Sequence, residues 1–199
     1  MQQQNRRTNP QRTAATRARL VATARSLFVE QGFSRTSTPA IVAAAGVTRG
    51  ALYHHFTDKQ AIFRAVVEAE SQAVANAIDD ADDIGLSALD GLLVGARAYV
   101  DAMQIRGRVE LLLIEGPAVL GREQMRRIEA HNGDASLQSG LVEAMNNGHL
   151  VQMPIDELTS VLSAMFERAA MEIYEGRSLS RVLDVVEGIL RGLSGRSVS

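Results

Sequence analysis

The sequence predicts an all-α protein, and three observations carry that expectation. Apolar residues recur every three or four positions, and no segment alternates with a sustained period of two. Proline is confined to positions 10, 39, 117 and 154, which leaves long stretches free to be helical. The 199 residues are 46% hydrophobic, enough for a sizeable buried core. With no cysteine, disulfide scaffolds, thiol catalysis and cysteine-ligated zinc are excluded. No run reaches the roughly 18 apolar residues of a membrane span, and MQQQNRRTNPQR has no apolar signal core, so a soluble, cytoplasmic protein without membrane contact is expected.

The elements follow in order. From Thr13 to Gln31, Leu20, Ala24, Leu27 and Phe28 share one helical face, and Gly32 stops it. A short helix over 38–45 is capped by Ser37 or Thr38 and has Pro39 in its first turn. Gly46-Val47 turns the chain, and Thr48 caps a second short helix through His55. Thr57-Asp58 then opens a longer helix carrying Ile62, Phe63, Val66 and Ala69. The acidic run at 79–83 reads as a solvated break, lacking the glycine and terminal glutamate of a calcium loop.

Ser87 and Asp90 have capping-box spacing ahead of a helix striped by Leu89, Leu92, Leu93, Ala96, Tyr99 and Met103. A helix over 108–115 is expected to end at Gly116-Pro117. Residues 122–147 read as one helix, or as two broken near Gly133. Helices over 155–175 and 178–192 close the chain, each with a broad apolar stripe.

Charge is distributed unevenly. Residues 1–60 carry nine basic and two acidic side chains, a net +7; the remainder has 12 basic and 21 acidic, a net −9. A basic front and an acidic back suggest that the front meets a polyanion.

Residues 37–59, STPAIVAAAGVTRGALYHHFTDK, bring that charge into a pattern. Two short helices around Gly-Val, each with a hydroxyl cap, form a helix-turn-helix. Val47, Leu52 and Phe56 anchor the second helix, which leaves Thr48, Arg49, Gly50, Tyr53, His54 and His55 outward, followed by Lys59. Arg49 at the helix tip suits guanine O6 and N7, and Gly50 permits close backbone approach. Tyr53, His54 and His55 offer donors to phosphate oxygens. The histidines are sequence neighbours, which do not share a helix face, so no metal is expected there.

From Arg17 to Phe63 the sequence resembles the DNA-binding domain of the TetR family of bacterial transcriptional repressors. The resemblance rests on Leu27-Phe28, Gly32-Phe33, Thr36-Ser37, Ile41, Ala45-Gly46-Val47-Thr48, Gly50, Leu52-Tyr53-His54-His55-Phe56 and Lys59. It implies that Arg49 and Gly50 face base edges. Ser37 or Thr38, Thr48, Tyr53, His54 and Lys59 would hold phosphates, and Arg35 would flank them. One departure is Ala40, where the family commonly has the acid of a capping box; Pro39 offsets this in part by fixing φ.

The implied organisation is a flexible basic arm over 1–12, bearing Arg6, Arg7 and Arg12, a DNA-binding domain over 13–58, and a regulatory domain over 59–199 that binds ligand and dimerises. In such a homodimer Leu158, Leu162, Met165 and Ala169 would meet Val182, Val186 and Ile189 across the interface. Candidate ligand contacts are Tyr99, Met103, Arg106, Leu113, Met125, Met145, Phe166 and Tyr174. No cofactor is called for. No phosphate loop, HExxH or GxSxG occurs, so an enzyme is not expected. The function implied is a homodimeric repressor that leaves a palindromic operator on double-stranded DNA when a small amphipathic effector binds. The alternative is a regulator whose C-terminal domain senses a protein partner or acts without ligand.

Overall fold

The computed structural model describes residues 9–81, 86–131 and 133–194. Two compact units divide between Glu68 and Ala69, within the fourth helix.

The first unit is built from α1 (Asn9–Arg35), α2 (Thr38–Ala45), α3 (Arg49–His55) and the start of α4 (Lys59–Ala81). Helix α1 begins at Asn9, so Arg12 lies on its first turns rather than in an arm; Arg6 and Arg7 fall outside the described residues. Gly32 interrupts α1 with φ 78° and ψ 162°, a conformation that a side chain would strain. The buried Thr36 hydroxyl sits against the Leu27 and Gly32 carbonyls at 3.2 and 2.9 Å, which pins the chain as it leaves α1. Leu20, Ala24, Phe28, Ile41, Leu52, Ile62 and Phe63 form the core. Phe28, Phe33 and Phe63 pack with ring centroids 5.0–5.8 Å apart, two of the three pairs edge-on.

The second unit holds the rest of α4 with α5 (Ala88–Met103), α6 (Gly116–Leu120), α7 (Arg122–His131), α8 (Gly133–Asn146), α9 (Ile155–Tyr174) and α10 (Leu179–Gly192). Helix α4 continues through Asp79 and Asp80 to Ala81, so the expected acidic break does not begin at 79; residues 82–85 are not described. Ser87 caps α5, its hydroxyl accepting from the Asp90 N–H at 3.2 Å and donating to the Asp90 carboxylate at 2.7 Å. Helices α5, α8, α9 and α10 pack together over a core of Leu92, Ala96, Leu141, Ala144, Leu162, Phe166, Val186 and Leu190.

Gly116-Pro117 does not end its helix. Residues Glu110–Glu115 form a π-helical turn that runs directly into α6, and the chain breaks only at Gly121, with φ 83°. Pro117 has no N–H to donate, and its ring crowds the carbonyl four residues back; the wider turn accommodates both. Gly116 makes this possible. A Cβ there would lie 2.8 Å from the Leu111 carbonyl oxygen and 3.0 Å from the Met125 sulfur.

Just before this turn, Arg108 is buried and its Nε donates to Glu70 on α4 at 2.9 Å, while Nη1 donates to the Ala102 carbonyl at 2.8 Å. A pair this deeply placed resists loss of one member more than loss of both. Arg108→Met, which leaves the Glu70 carboxylate without its guanidinium, is expected to lower stability by about 3–5 kcal/mol in urea denaturation. Adding Glu70→Leu is expected to recover much of that loss.

Candidate functional site

The first site is the exposed face of α3. Ser37 is the cap of α2, accepting from the Ala40 N–H at 3.2 Å; Thr38 is the first helical residue. Gly46 takes the left-handed conformation, φ 60° and ψ 39°, and the Thr48 hydroxyl accepts from the Ala51 N–H at 3.1 Å. Leu52 and Phe56 are buried, which fixes which side of α3 faces out. Arg49, Gly50, Tyr53 and His54 are exposed, and Tyr53 shows 43% of its surface. The Arg49 guanidinium lies 5.5 Å from the Tyr53 ring centroid and forms no hydrogen bond or ion pair among the described residues. Its fork of donors is therefore uncommitted. Arg35, by contrast, already donates to the Gln31 carbonyl at 2.7 Å.

His55 is half-buried beside His54, with ring centroids 5.2 Å apart. Burial, then the neighbouring His54 and Arg17, push its pKa below the ordinary histidine value. It is therefore chiefly neutral at pH 7, a donor or acceptor and not a cation.

Lys59, expected to hold a phosphate, also meets the protein's own backbone. Its ammonium donates to the Phe33 carbonyl at 2.8 Å and the Thr36 carbonyl at 3.0 Å, and sits 4.1 Å from the Phe33 ring centroid. Two of three ammonium donors thus close off the end of α1. The α4 N-terminus is likewise engaged, since the Asp58 carboxylate accepts from the Ala61 N–H at 2.7 Å. The lysine's contacts were not legible from spacing, because partners 23 and 26 residues away depend on the folded path, whereas Thr57-Asp58 was read as the opening of this helix.

The second site is a cavity of about 660 Å³ within the second unit. Of the residues expected to contact ligand, Tyr99, Met103, Leu113, Met125 and Phe166 lie on its wall. Arg106 is exposed and not on its wall, and Met145 is buried in the core because α8 turns it toward α5 and α9. Tyr174 is exposed near the end of α9, with Glu110 nearby raising its pKa. Sequence reasoning missed the polar lining: Asp79, Glu129, Asp134, Glu143 and Glu167. A carboxylate on an amphipathic helix reads as solvent-facing unless the packing partner is known, and α7 carries Glu129 directly after the buried Ile128.

The stripes expected at a dimer interface serve the internal core. Leu162, Ala169 and Val186 are buried there, and Leu158, Met165 and Val182 pack against it. Of these seven only Ile189 is exposed, because α9 packs on α5, α8 and α10, and α10 packs on α5 and α9.

A short exposed helix with an uncommitted arginine, in a helix-turn-helix unit followed by a helical unit around a cavity, is the arrangement of a DNA-binding regulator. Residues 20–66 match the family model for bacterial regulatory proteins of the TetR family, and residues 89–193 match that of the tetracyclin repressor-like C-terminal domain. A TetR-family transcriptional regulator from Pectobacterium atrosepticum is 30% identical, with 96% of this chain and 99% of that one covered at a TM-score of 0.78. The transcriptional repressor AcnR of Corynebacterium glutamicum is 26% identical over 180 residues, 88% of this chain and 92% of its own length. The fold is also that of RolR in complex with the ligand resorcinol, at 17% identity and a TM-score of 0.72, with 95% of this chain and 92% of that one covered. The chain belongs to the TetR family, and it is a transcriptional regulator that binds DNA.

The His55 environment gives a direct test. Its midpoint, followed by NMR, is expected below 6.5, and Arg17→Ala, which removes a positive neighbour, is expected to move it upward.

Proposed function

We propose that the protein is a homodimeric repressor, acting in the cytoplasm, that holds a palindromic operator through two copies of α3 and releases it when a small molecule fills the cavity. The observation that carries this reading is the uncommitted Arg49 guanidinium at the tip of a helix whose other face is buried. Thr48, Gly50, Tyr53, His54 and His55 border it and suit backbone contacts, while Ser37 and Thr38 lie at the start of α2. Arg35 and Lys59 flank this face; Arg35 uses only its Nε and Lys59 two of its three donors on carbonyls, which leaves each a donor for phosphate.

Dimerisation is supported by the outer faces of the last two helices. Val161 on α9 is 66% exposed, and Val185 and Ile189 on α10 are 61% and 43% exposed. Gly188 and Gly192 add open ground to the same side of α10, where a Cβ would meet nothing within 4 Å. Covering this surface with a second copy removes apolar area from water and supplies the two-fold symmetry that reading a palindrome needs. The recognition helices must then fit successive major grooves about 34–36 Å apart, and a ligand that favours another arrangement releases DNA by population shift. Helix α4 supports such coupling: it supplies Lys59 at one end, and Glu70, Ser71, Val74 and Ile78 further along.

Arg49→Ala is expected to cost about 1–3 kcal/mol in operator binding and to relax base preference at one position per half-site. Lys59→Ala is expected to lower thermal stability together with affinity for every DNA sequence. Gel-shift titrations at several salt concentrations, paired with melting curves, separate the two roles; identical behaviour of both variants would refute the assignment. Val185→Glu with Ile189→Glu is expected to yield monomers in analytical ultracentrifugation with helix content retained.

A further inference from the structure

The cavity walls carry charge of one sign. Asp79, Glu129, Asp134, Glu143 and Glu167 line it together with hydroxyls and apolar side chains, and no lysine, arginine or histidine stands among the described lining residues. Two of these carboxylates already have donors: Ser136 donates to Asp79 at 2.8 Å, and Ser163 donates to Asp134. Glu129 on α7 and Glu167 on α9 have neither hydrogen bond nor ion pair among the described residues, although both are half-buried. Tyr99 lines the same cavity, its hydroxyl also without a hydrogen-bond partner among the described residues, on a ring 5.9 Å from that of Phe166.

Half-buried carboxylates gathered without a cation repel one another and lose hydration, so the arrangement costs stability in the empty protein. Both effects are visible. Burial first, then Glu167 and Asp134, push Glu129 up to about 7, against a smaller opposing influence of Arg126. Burial and then Asp134 push Glu167 in the same direction. Tyr99 is raised by burial, Glu167, Glu129 and Asp134. Arg126 does not neutralise the group, because it is exposed and donates to Glu123 at 2.7 Å. A positive charge entering here relieves the repulsion, and the apolar wall with its two aromatic rings takes the ligand body.

We propose that the effector is an organic cation, an apolar or aromatic body bearing one amine or quaternary centre, seated with its charge at Glu129 and Glu167 and its body against Tyr99 and Phe166. This rests on the reading of the cavity as an effector site and adds the sign of the ligand's charge. A negatively charged metabolite, such as an organic acid or an acyl-phosphate, is disfavoured by the same five carboxylates.

The test uses probes that share a body and differ in charge: 1-naphthylmethylamine, 1-naphthalenemethanol and 1-naphthoate, with tetraphenylphosphonium and tetraphenylborate as a bulkier pair. Each is titrated into the full-length protein by calorimetry and by release of bound operator DNA. The ammonium and phosphonium ions are expected to bind at least tenfold more tightly than the neutral and anionic members and to release DNA. In Glu129→Gln/Glu167→Gln, which keeps side-chain size and removes the repulsion, melting temperature is expected to hold or rise. The ratio of amine to alcohol affinity is expected to fall at least tenfold. Equal binding of all members, preference for the anions, or an unchanged ratio in the double variant overturns the charge assignment and leaves the effector site standing. If no probe binds or releases DNA, the effector-site reading falls with it.

Discussion

A helix of seven residues cannot hold itself in water, since isolated helices shorter than about 12–15 residues are marginal. Everything that makes α3 usable as a reading element must therefore come from outside it. Leu52 and Phe56 fix its inner face, the Thr48 hydroxyl satisfies a first-turn N–H, and Gly46 sets its direction relative to α2. Thr36 and Lys59 act one step further away. They satisfy the carbonyls of Leu27, Gly32, Phe33 and Thr36, where the chain leaves α1, and so hold the platform on which α2 and α3 are packed. Arg49 and Tyr53 are left free of structural duty because these residues carry it.

The helix-turn-helix was legible in the sequence because its determinants are local. Hydroxyl caps, a left-handed glycine and apolar spacing act within a few residues, and they fixed α2 and α3 closely. The cap at Ser37 was ambiguous only because Ser37 and Thr38 are adjacent hydroxyls, and the extended backbone of Ser37, φ −109° and ψ 153°, decides between them. The role of Lys59 was not legible. An exposed-looking lysine at a helix start carries the same local signal whether it meets a phosphate or the carbonyl ends of a helix more than 20 residues earlier.

In the second unit the helices were readable and the destinations of their faces were not. The aromatic and methionine residues of the cavity stand out because such side chains are scarce in this chain, whereas Glu129 and Glu167 look like any acid on an amphipathic helix. Broad apolar stripes on α9 and α10 suggested an interface; helix packing takes up their Leu162, Ala169 and Val186 side and leaves Val161, Val185 and Ile189 outside. The π-helical turn was unreadable for a different reason. Gly-Pro normally marks a stop, and here Gly116 permits a wide turn that carries the helix across Pro117 as far as Leu120.

The charge asymmetry of the sequence now has a structural meaning in both units. Among the described residues, the arginine at the tip of α3 has no acidic partner in the first, and Glu129 and Glu167 on α7 and α9 have no basic one in the second. A chain selected for stability alone would pair such groups or replace them, since each unpartnered charge weakens the compact state. Arg108 with Glu70 shows that this chain does pair buried charges where no ligand is to be admitted. The contrast between that satisfied pair and the unsatisfied groups at α3 and in the cavity supports the proposal that both are binding surfaces. On that proposal each is an electrostatic half whose complement is phosphate in one case and a cation in the other.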